Sequence, residues 1–140
     1  MIIDASVLLS ALFPDEAQKQ AQAVIRDHVL GNLTLIAPTL LTYELTNAVW
    51  QGVRRQRISQ EQAEEIMQTV DGLAIVQESV AWPQILSFAA QFNRSAYDAA
   101  YMALAQMQNQ PLITGDLRLY NAVHAKLSWV HWVGDYKISG

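Results

Sequence analysis

The first thirteen residues read MIIDASVLLSALF, from Met1 to Phe13. The short apolar run Met1–Asp4 ends in an acid, which is typical of a buried β-strand that stops at a polar edge. The apolar segment that follows it, Ser6–Phe13, predicts a helix. The chain therefore begins with a strand that passes directly into a helix.

The same alternation continues along the chain. Short apolar or β-branched runs predict further strands at Leu33–Ala37, Leu73–Val76, Leu112–Thr114 and Ser128–Val133. Helices are predicted at Asp15–Leu30, Ser59–Val70, Trp82–Phe92, Ser95–Met107 and Leu117–Ala125. A further helix is predicted to begin at Pro38, with Thr39 near its N-cap, and to end in the arginine-rich segment 54–57. Short apolar strands between helices predict an α/β fold with a mostly parallel sheet covered on both faces.

Composition narrows the classes of protein. The chain has 140 residues, of which 51% are apolar and 16% charged, so we expect one folded domain over residues 1–140 rather than a disordered segment. It contains no cysteine, which excludes disulfides, thiolate metal sites and thiol nucleophiles. There is no long apolar run and no signal-peptide pattern at the N-terminus, so we expect a cytoplasmic protein without a membrane span.

Four acidic residues occupy positions that solubility does not explain. Asp4 ends the first strand, and Asp116 lies just beyond the strand Leu112–Thr114, so both can meet at one edge of a parallel sheet. Glu44 and Asp98 lie on or beside the apolar stripes of two predicted helices, where Leu or Val is usual.

A buried carboxylate without a partner costs several kcal/mol or changes its pKa. We find no basic residue with helical spacing to Glu44 or Asp98 on their apolar faces. A divalent cation is the simplest partner. Oxygen ligands without a His or Cys cluster indicate Mg²⁺ or Mn²⁺, as one or two ions.

The net charge of −4 argues against nucleic-acid binding only if the acids are spread over the surface. Without the four acids above, the chain carries equal numbers of acidic and basic residues. Five arginines lie near those acids in sequence and could contact a polyanion such as RNA: Arg54, Arg55, Arg57, Arg94 and Arg118.

Structural roles compete with the metal-site interpretation. Asp4 could cap the end of its strand, and Asp116 could be the N-cap of a short helix. Glu44 and Asp98 could be ordinary polar residues at helix edges. The three histidines have no ligand spacing, so we expect surface or packing roles for them. We expect the tryptophans to be core or interface anchors, with base stacking by Trp50 as the alternative.

Four motifs together resemble one family. They are IIDAS at residues 2–6, YELTNA at 43–48, SAYDAAYMALA at 95–105 and TGDLRLYNA at 114–122. Over nearly the whole chain, this pattern resembles the PIN-domain ribonucleases, most closely the VapC-type toxins of prokaryotic toxin–antitoxin modules. The resemblance implies a three-layer α/β/α fold around a mostly parallel central sheet.

The resemblance also implies a metal-dependent endoribonuclease that leaves a 5′-phosphate and a 3′-hydroxyl. Its catalytic and metal-binding acids correspond here to Asp4, Glu44, Asp98 and Asp116, and its supporting polar residues to Ser6, Asn47 and Thr114. Gln106 departs from relatives that carry an acid at that position. The implied partners are an antitoxin, an RNA substrate and a second copy of the chain.

Other functions remain to be weighed. Response-regulator receivers need a second acid beside Asp4 and a lysine after a late strand, and the chain has neither. Haloacid-dehalogenase phosphatases need an acid where Ser6 stands. Both classes are therefore disfavoured. A non-catalytic binding module, whose acidic pocket captures a basic segment of a partner, fits the residues too. The apolar residues of the early helices are either a groove for the antitoxin or part of the core: Leu8, Leu9, Leu12 and Phe13.

Overall fold

A computed structural model describes residues 1–139 of the chain. In these residues, five strands form one sheet: β1 (Ile2–Ile3), β2 (Ile36–Pro38), β3 (Val76–Glu78), β4 (Leu112–Thr114) and β5 (Val130–Trp132). The spatial order is β3-β2-β1-β4-β5, and every neighbouring pair is parallel. The carboxyl ends of all five strands therefore lie at one edge of the sheet.

Seven α-helices connect these strands within the described residues. They are α1 (Ala5–Leu12), α2 (Lys19–Val29), α3 (Leu41–Arg54), α4 (Gln60–Gly72), α5 (Trp82–Phe92), α6 (Ala96–Gln108) and α7 (Leu117–Val123), and a 3₁₀ turn at Val133–Asp135 follows β5. None of the described helices is long and apolar enough to cross a membrane.

The two residues of β1 divide the core between the faces of the sheet. Ile3 packs with buried residues of α1, α2 and α3, whereas Ile2 packs with those of α5, α6 and α7. Successive strand residues point to opposite faces, so an apolar pair with no polar member is required where helices cover both sides. The predicted α/β class and the three-layer arrangement are confirmed.

The early helices resolve one open alternative. Leu8 and Phe13 are almost completely buried and belong to the core, whereas Leu9 and Leu12 are partly buried and pack against it. Phe13 belongs to a separate small core with α3 and α4. Gly52 allows this close packing, because a Cβ atom there would lie 3.1 Å from the Phe13 ring.

The start of α3 and the position of β3 differ from the prediction. Pro38 ends β2 instead of opening the helix, and the Thr39 N–H donates to the Glu78 carbonyl, which extends the ladder between β2 and β3. The helix starts after Leu40, without a side-chain cap. Leu73 caps the C-terminus of α4, so the apolar run predicted as a strand is divided between the end of that helix and β3.

The four tryptophans divide between the core and the surface. Trp129 packs edge-on against Phe88, and the Trp132 ring fills the space beside Gly134, as expected for core anchors. Trp50 and Trp82 are instead exposed. Their rings lie on the outer faces of α3 and α5, where the protein itself leaves them in contact with solvent.

His28 joins two loops near the amino edge of the sheet. Its Nδ1 accepts from the Leu35 N–H at 3.1 Å, and its Nε2 lies 2.7 Å from the Leu73 carbonyl oxygen. Because the first contact needs an acceptor and the second a donor, the ring is the neutral tautomer with its proton on Nε2.

We expect His28→Leu to lower the free energy of unfolding by about 1–3 kcal/mol, because it leaves two backbone groups without partners. His124→Leu is the control, since the His124 ring bonds to the carbonyl and stacks on the ring of Tyr120, one turn earlier in the chain. Its effect should stay within about 0.5 kcal/mol. Urea unfolding of both variants measures the difference, and equal values would contradict the bridging role.

Candidate active site

Each of the four candidate acids lies at the N-terminal end of a helix. Asp4 and Asp116 are the N-caps of α1 and α7, and Glu44 and Asp98 lie in the first turns of α3 and α6. A helix N-terminus carries a partial positive charge that stabilises a nearby carboxylate by roughly 0.3–1 kcal/mol. Asp116 therefore has the N-cap role expected as its alternative, whereas Asp4, expected to cap the end of its strand, caps the start of α1.

The Asp4 carboxylate is buried and fixed from two sides. It accepts from the backbone N–H of Ser6 at 3.1 Å and from the Ser6 hydroxyl. Its other oxygen accepts from the Thr114 hydroxyl at 2.5 Å. These bonds connect the carboxyl ends of β1 and β4 and determine where the carboxylate lies.

Ser6 and Thr114 each bond to the segment that follows β4 as well. The Gly115 N–H donates to the Ser6 hydroxyl at 2.8 Å, and the Asp116 N–H donates to the Thr114 hydroxyl at 3.0 Å. A Cβ atom on Gly115 would lie 3.1 Å from the Ser6 hydroxyl oxygen, so a glycine permits this approach. Ser6 and Thr114, predicted as supporting residues, thus hold Asp4.

Burial, together with the smaller effect of the negative charge of Glu44, raises the pKa of Asp4 to about 6. The hydrogen bonds from Ser6 and Thr114 act in the opposite direction. Desolvation has the larger effect because the ionised form loses water on every side. Asp4 is therefore a carboxyl group whose charge the folded chain only partly compensates.

Glu44 has a partner that the sequence analysis did not identify. The Tyr101 hydroxyl donates to Glu44 Oε1 at 2.9 Å. Partial burial raises the pKa of Glu44, the bond from Tyr101 lowers it, and the charge of Asp98 raises it. Burial and the nearby charges of Glu44 and Asp4 raise the pKa of Tyr101, so its phenol remains a donor. The only sequence signal was its position three residues after Asp98.

Asp98 corrects one sequence expectation. Its carboxylate pairs with the Arg94 guanidinium, with an N–O distance of 3.0 Å, across a spacing of four residues. The expectation that no basic residue has helical spacing to Asp98 was wrong. Arg94 lies just before α6, and its side chain extends forward to Asp98 in the first turn of that helix. The backbone N–H of Asp98 is capped by the Ser95 hydroxyl.

The electrostatic effects join three of the acids. The charge of Glu44 raises the pKa of Asp4, and the charge of Asp98 raises the pKa of Glu44. Tyr101, which bonds to Glu44, lies one turn along the same helix from Asp98, so the starts of α3 and α6 adjoin at this edge of the sheet. Asp116 accepts from the backbone N–H groups of Arg118 and Leu119. Asp116 is connected to Asp4 through the Thr114 hydroxyl, which accepts from the Asp116 N–H and donates to the Asp4 carboxylate.

The remaining predicted residues lie around this edge. Asn47 is exposed and lines a cleft together with Glu44. Arg57 is engaged elsewhere, since it forms ion pairs with Asp15 and Glu16 and lies over the Phe13 ring. Three other arginines are exposed and make no ion pair with residues 1–139: Arg54, Arg55 and Arg118.

The four acids suit a hard divalent cation, because carboxylate oxygens are the ligands that Mg²⁺ and Mn²⁺ prefer. The raised pKa values of Asp4 and Glu44 fit such a site as well, since a cation would favour their ionised forms. The side chains do not yet converge. Within residues 1–139, no three Asp, Glu or His side chains are close enough together to surround an ion. A cation bound by Asp98 would compete with the ion pair that Asp98 forms with Arg94.

Comparison with known proteins gives consistent results. Residues 1–124 match the model of the PIN domain family. The chain is 32% identical over 126 residues to a VapC ribonuclease of Mycobacterium bovis, covering 90% of this chain and 93% of that protein. It is 29% identical over 124 residues to a ribonuclease VapC of Pyrobaculum aerophilum, covering 85% and 91%.

A solved structure supports the fold alone. The crystal structure of PAE2754 from Pyrobaculum aerophilum superposes with a TM-score of 0.73 at 22% sequence identity. The match covers 95% of this chain and 90% of that one.

Asp4 makes stability depend on pH. The folded-state pKa of about 6 exceeds the value of roughly 3.9 in an unfolded chain, so the folded state holds the proton more tightly. The stabilisation that the protonated Asp4 carboxyl contributes is complete below about pH 4 and is lost as the pH rises through about 6. This loss lowers the free energy of unfolding by up to about 3 kcal/mol.

We compare the free energy of unfolding of the unsubstituted protein with that of Asp4→Asn. The unsubstituted value minus the variant value should fall by up to about 3 kcal/mol between pH 4 and 7, because only the unsubstituted protein has the titrating carboxyl. Urea unfolding in EDTA at several pH values measures this difference. A difference that stays constant over the range would show that the Asp4 carboxyl titrates normally.

Tyr101→Phe removes the donor to Glu44, so the pKa of Glu44 should rise. The matched control is Tyr136→Phe, which removes a tyrosine bond to Asp27 outside this site and should raise the pKa of Asp27 instead. Carbon-13 NMR titration of the side-chain carboxyls measures both groups. If Glu44 responds equally to the two substitutions, the contact with Tyr101 has no specific effect.

Proposed function

The chain belongs to the PIN domain family, and we propose that it is a metal-dependent endoribonuclease, the toxin of a toxin–antitoxin pair. The observation that carries this proposal is that four acids each lie at the N-terminal end of a helix around the carboxyl edge of the sheet: Asp4, Glu44, Asp98 and Asp116. In open α/β sheets, ligands bind outside this edge.

Four acids would hold one or two Mg²⁺ or Mn²⁺ ions: Asp4, Glu44, Asp98 and Asp116. When bound, the ion would hold a phosphodiester oxygen and lower the pKa of the attacking water, so that hydrolysis leaves a 5′-phosphate and a 3′-hydroxyl. The raised pKa values of Asp4 and Glu44 support this assignment, because a cation relieves repulsion between neighbouring carboxylates.

The chain's own residues prepare this site to different degrees. Ser6 and Thr114 keep Asp4 in a single orientation. The Tyr101 hydroxyl donates to the Glu44 carboxylate and so limits where that carboxylate can lie. Asp98 is the movable member, since its partner Arg94 is a side chain that can turn away. A released Arg94 guanidinium would then be available to a phosphate of the substrate.

The arginines divide into two groups as candidates for RNA contact. Arg54, Arg55 and Arg118 are exposed, and their guanidinium groups can pair with phosphates. Arg57 would first have to leave two carboxylates. Phosphate contact by Arg57 is therefore the least favoured of the five predicted contacts. Asn47, beside Glu44, would bind either a water molecule of the site or the substrate.

The partners follow from the relatives that are named VapC ribonucleases. We propose that an antitoxin inhibits the protein and that two copies form a homodimer. A single domain over residues 1–140 that acts in the cytoplasm fits this function.

One observation favours a second candidate function. A guanidinium already lies on Asp98, and no three acids converge within residues 1–139. An acidic pocket that accepts an arginine from inside the chain could accept one from a partner. The alternative is therefore a non-catalytic PIN-like module whose pocket captures a basic segment of another protein.

The test is cleavage of cellular RNA by the purified full-length protein, free of antitoxin, with EDTA, Mg²⁺ or Mn²⁺. We expect cleavage that requires metal and that falls roughly 100-fold or more in Asp98→Asn, since the ion contributes several kcal/mol to the transition state. Isothermal titration with Mn²⁺ should show weaker binding to the same variant.

Glu65→Gln is the matched control, because it removes one exposed carboxylate from α4, a helix that contributes no residue to the cleft beside Glu44. Its cleavage rate and Mn²⁺ affinity should equal those of the unsubstituted protein. Absence of cleavage with either metal, or equal cleavage by Asp98→Asn, would reject the nuclease. Binding of an arginine-rich peptide that Asp98→Asn abolishes would then favour the binding module.

A further inference from the structure

One face of α3 carries a row of exposed side chains that the acid site does not use. Tyr43, Asn47, Trp50 and Arg54 follow one another at intervals of four, three and four residues. At 3.6 residues per turn, these intervals place all four on one narrow side of the helix. We call this row the α3 stripe.

The rings of the α3 stripe are open to solvent. Tyr43 is 79% exposed and Trp50 is 51% exposed. The opposite side of the same helix is buried through Leu41, Leu45 and Val49, so the stripe is the solvent face of an amphipathic helix. Such a face usually carries short polar or charged side chains, and large aromatic rings there indicate a surface that binds something.

The α3 stripe begins at the acid site. Tyr43 and Asn47 line one cleft together with Glu44 and with Tyr97 of α6, which is 65% exposed. Tyr97 immediately precedes Asp98 in the chain. Two exposed tyrosines, from different helices, therefore flank the carboxylates proposed to cut the substrate.

The other end of the α3 stripe is positively charged. Arg54 and its neighbour Arg55 are exposed and have no carboxylate partner among residues 1–139. The surface thus passes from carboxylates, through aromatic rings and an amide, to free guanidinium groups. Single-stranded RNA offers a matching group for each kind of side chain: base faces for the rings, base edges for the amide and phosphates for the arginines.

We propose that the α3 stripe, with Tyr97, is a binding track for unpaired RNA that leads a strand into the acid site by stacking bases on Tyr43, Tyr97 and Trp50. The proposal rests on the nuclease function above and adds which side chains, outside the acid cluster, hold the strand beside it. A duplex hides its base faces in the stack, so it cannot use these rings.

The experiment measures binding of a fluorescent single-stranded RNA 12-mer to the full-length protein in EDTA, by anisotropy, so that metal-dependent cleavage does not interfere. Tyr43→Ala and Trp50→Ala should each weaken binding roughly 5- to 100-fold, the range of one lost base–aromatic stack. Tyr43→Phe and Trp50→Phe keep a ring and should restore most of the affinity.

Two further readouts identify the ligand. A blunt duplex of the same sequence should bind much more weakly than the single strand and should not respond to Tyr43→Ala. Arg54→Ala should reduce the slope of log affinity against log salt by about 1, which marks one lost phosphate contact. Leu30→Ala is the surface control, because Leu30 is 64% exposed at the opposite, amino edge of the sheet.

The result separates this proposal from the function it rests on. Loss of binding in the Ala variants, with rescue by Phe, supports the track whether or not the protein cleaves RNA. Unchanged RNA affinity in Tyr43→Ala and Trp50→Ala overturns the track, even if metal-dependent cleavage is found. If those variants instead lose only self-association in sedimentation, or only binding of a protein partner, the stripe is a protein interface and the proposal is wrong.

Discussion

The carboxylate of Asp4 is the group on which the rest of the site depends. It lies in the interior where the central strand ends, and its two oxygens take hydrogen bonds from Ser6 and Thr114. These bonds join β1 to β4, and the same hydroxyls bind the backbone that leads into α7. A buried carboxylate that was not bonded in this way would cost several kcal/mol, so its neighbours are constrained to supply donors.

The parallel sheet explains why acids collect at one edge. Every strand ends there, and α1, α3, α6 and α7 present their N-termini towards it with an acid in the first turn or at the cap. Helix dipoles and caps compensate part of the negative charge. The raised pKa values of Asp4 and Glu44 show that compensation is incomplete. This remaining charge is what a cation would neutralise, and Arg94 already supplies a guanidinium to Asp98.

Helix α3 connects the core, the acid site and the surface. Leu41 and Leu45 anchor it in the core, and Glu44 enters the site from its first turn, held by Tyr101 of α6. The remaining face carries the α3 stripe, which the core does not need. Because one rigid helix carries all three faces, a strand of RNA bound along the stripe would have a fixed position relative to the Glu44 carboxylate. Binding and cutting would thus share one positioning element.

The sequence by itself determined the fold class and the helices α5, α6 and α7, because hydrophobic periodicity and capping are local properties. It also predicted that four acids form a site, and that assignment stays a prediction. Tertiary structure decided the contacts between distant residues. Tyr101 meets Glu44 across 57 positions, and Thr114 meets Asp4 across 110, a proximity that no local pattern encodes. Burial of Leu8 and exposure of Trp50 were likewise undecided, because an apolar side chain has the same sequence signature whether a neighbouring helix covers it or not.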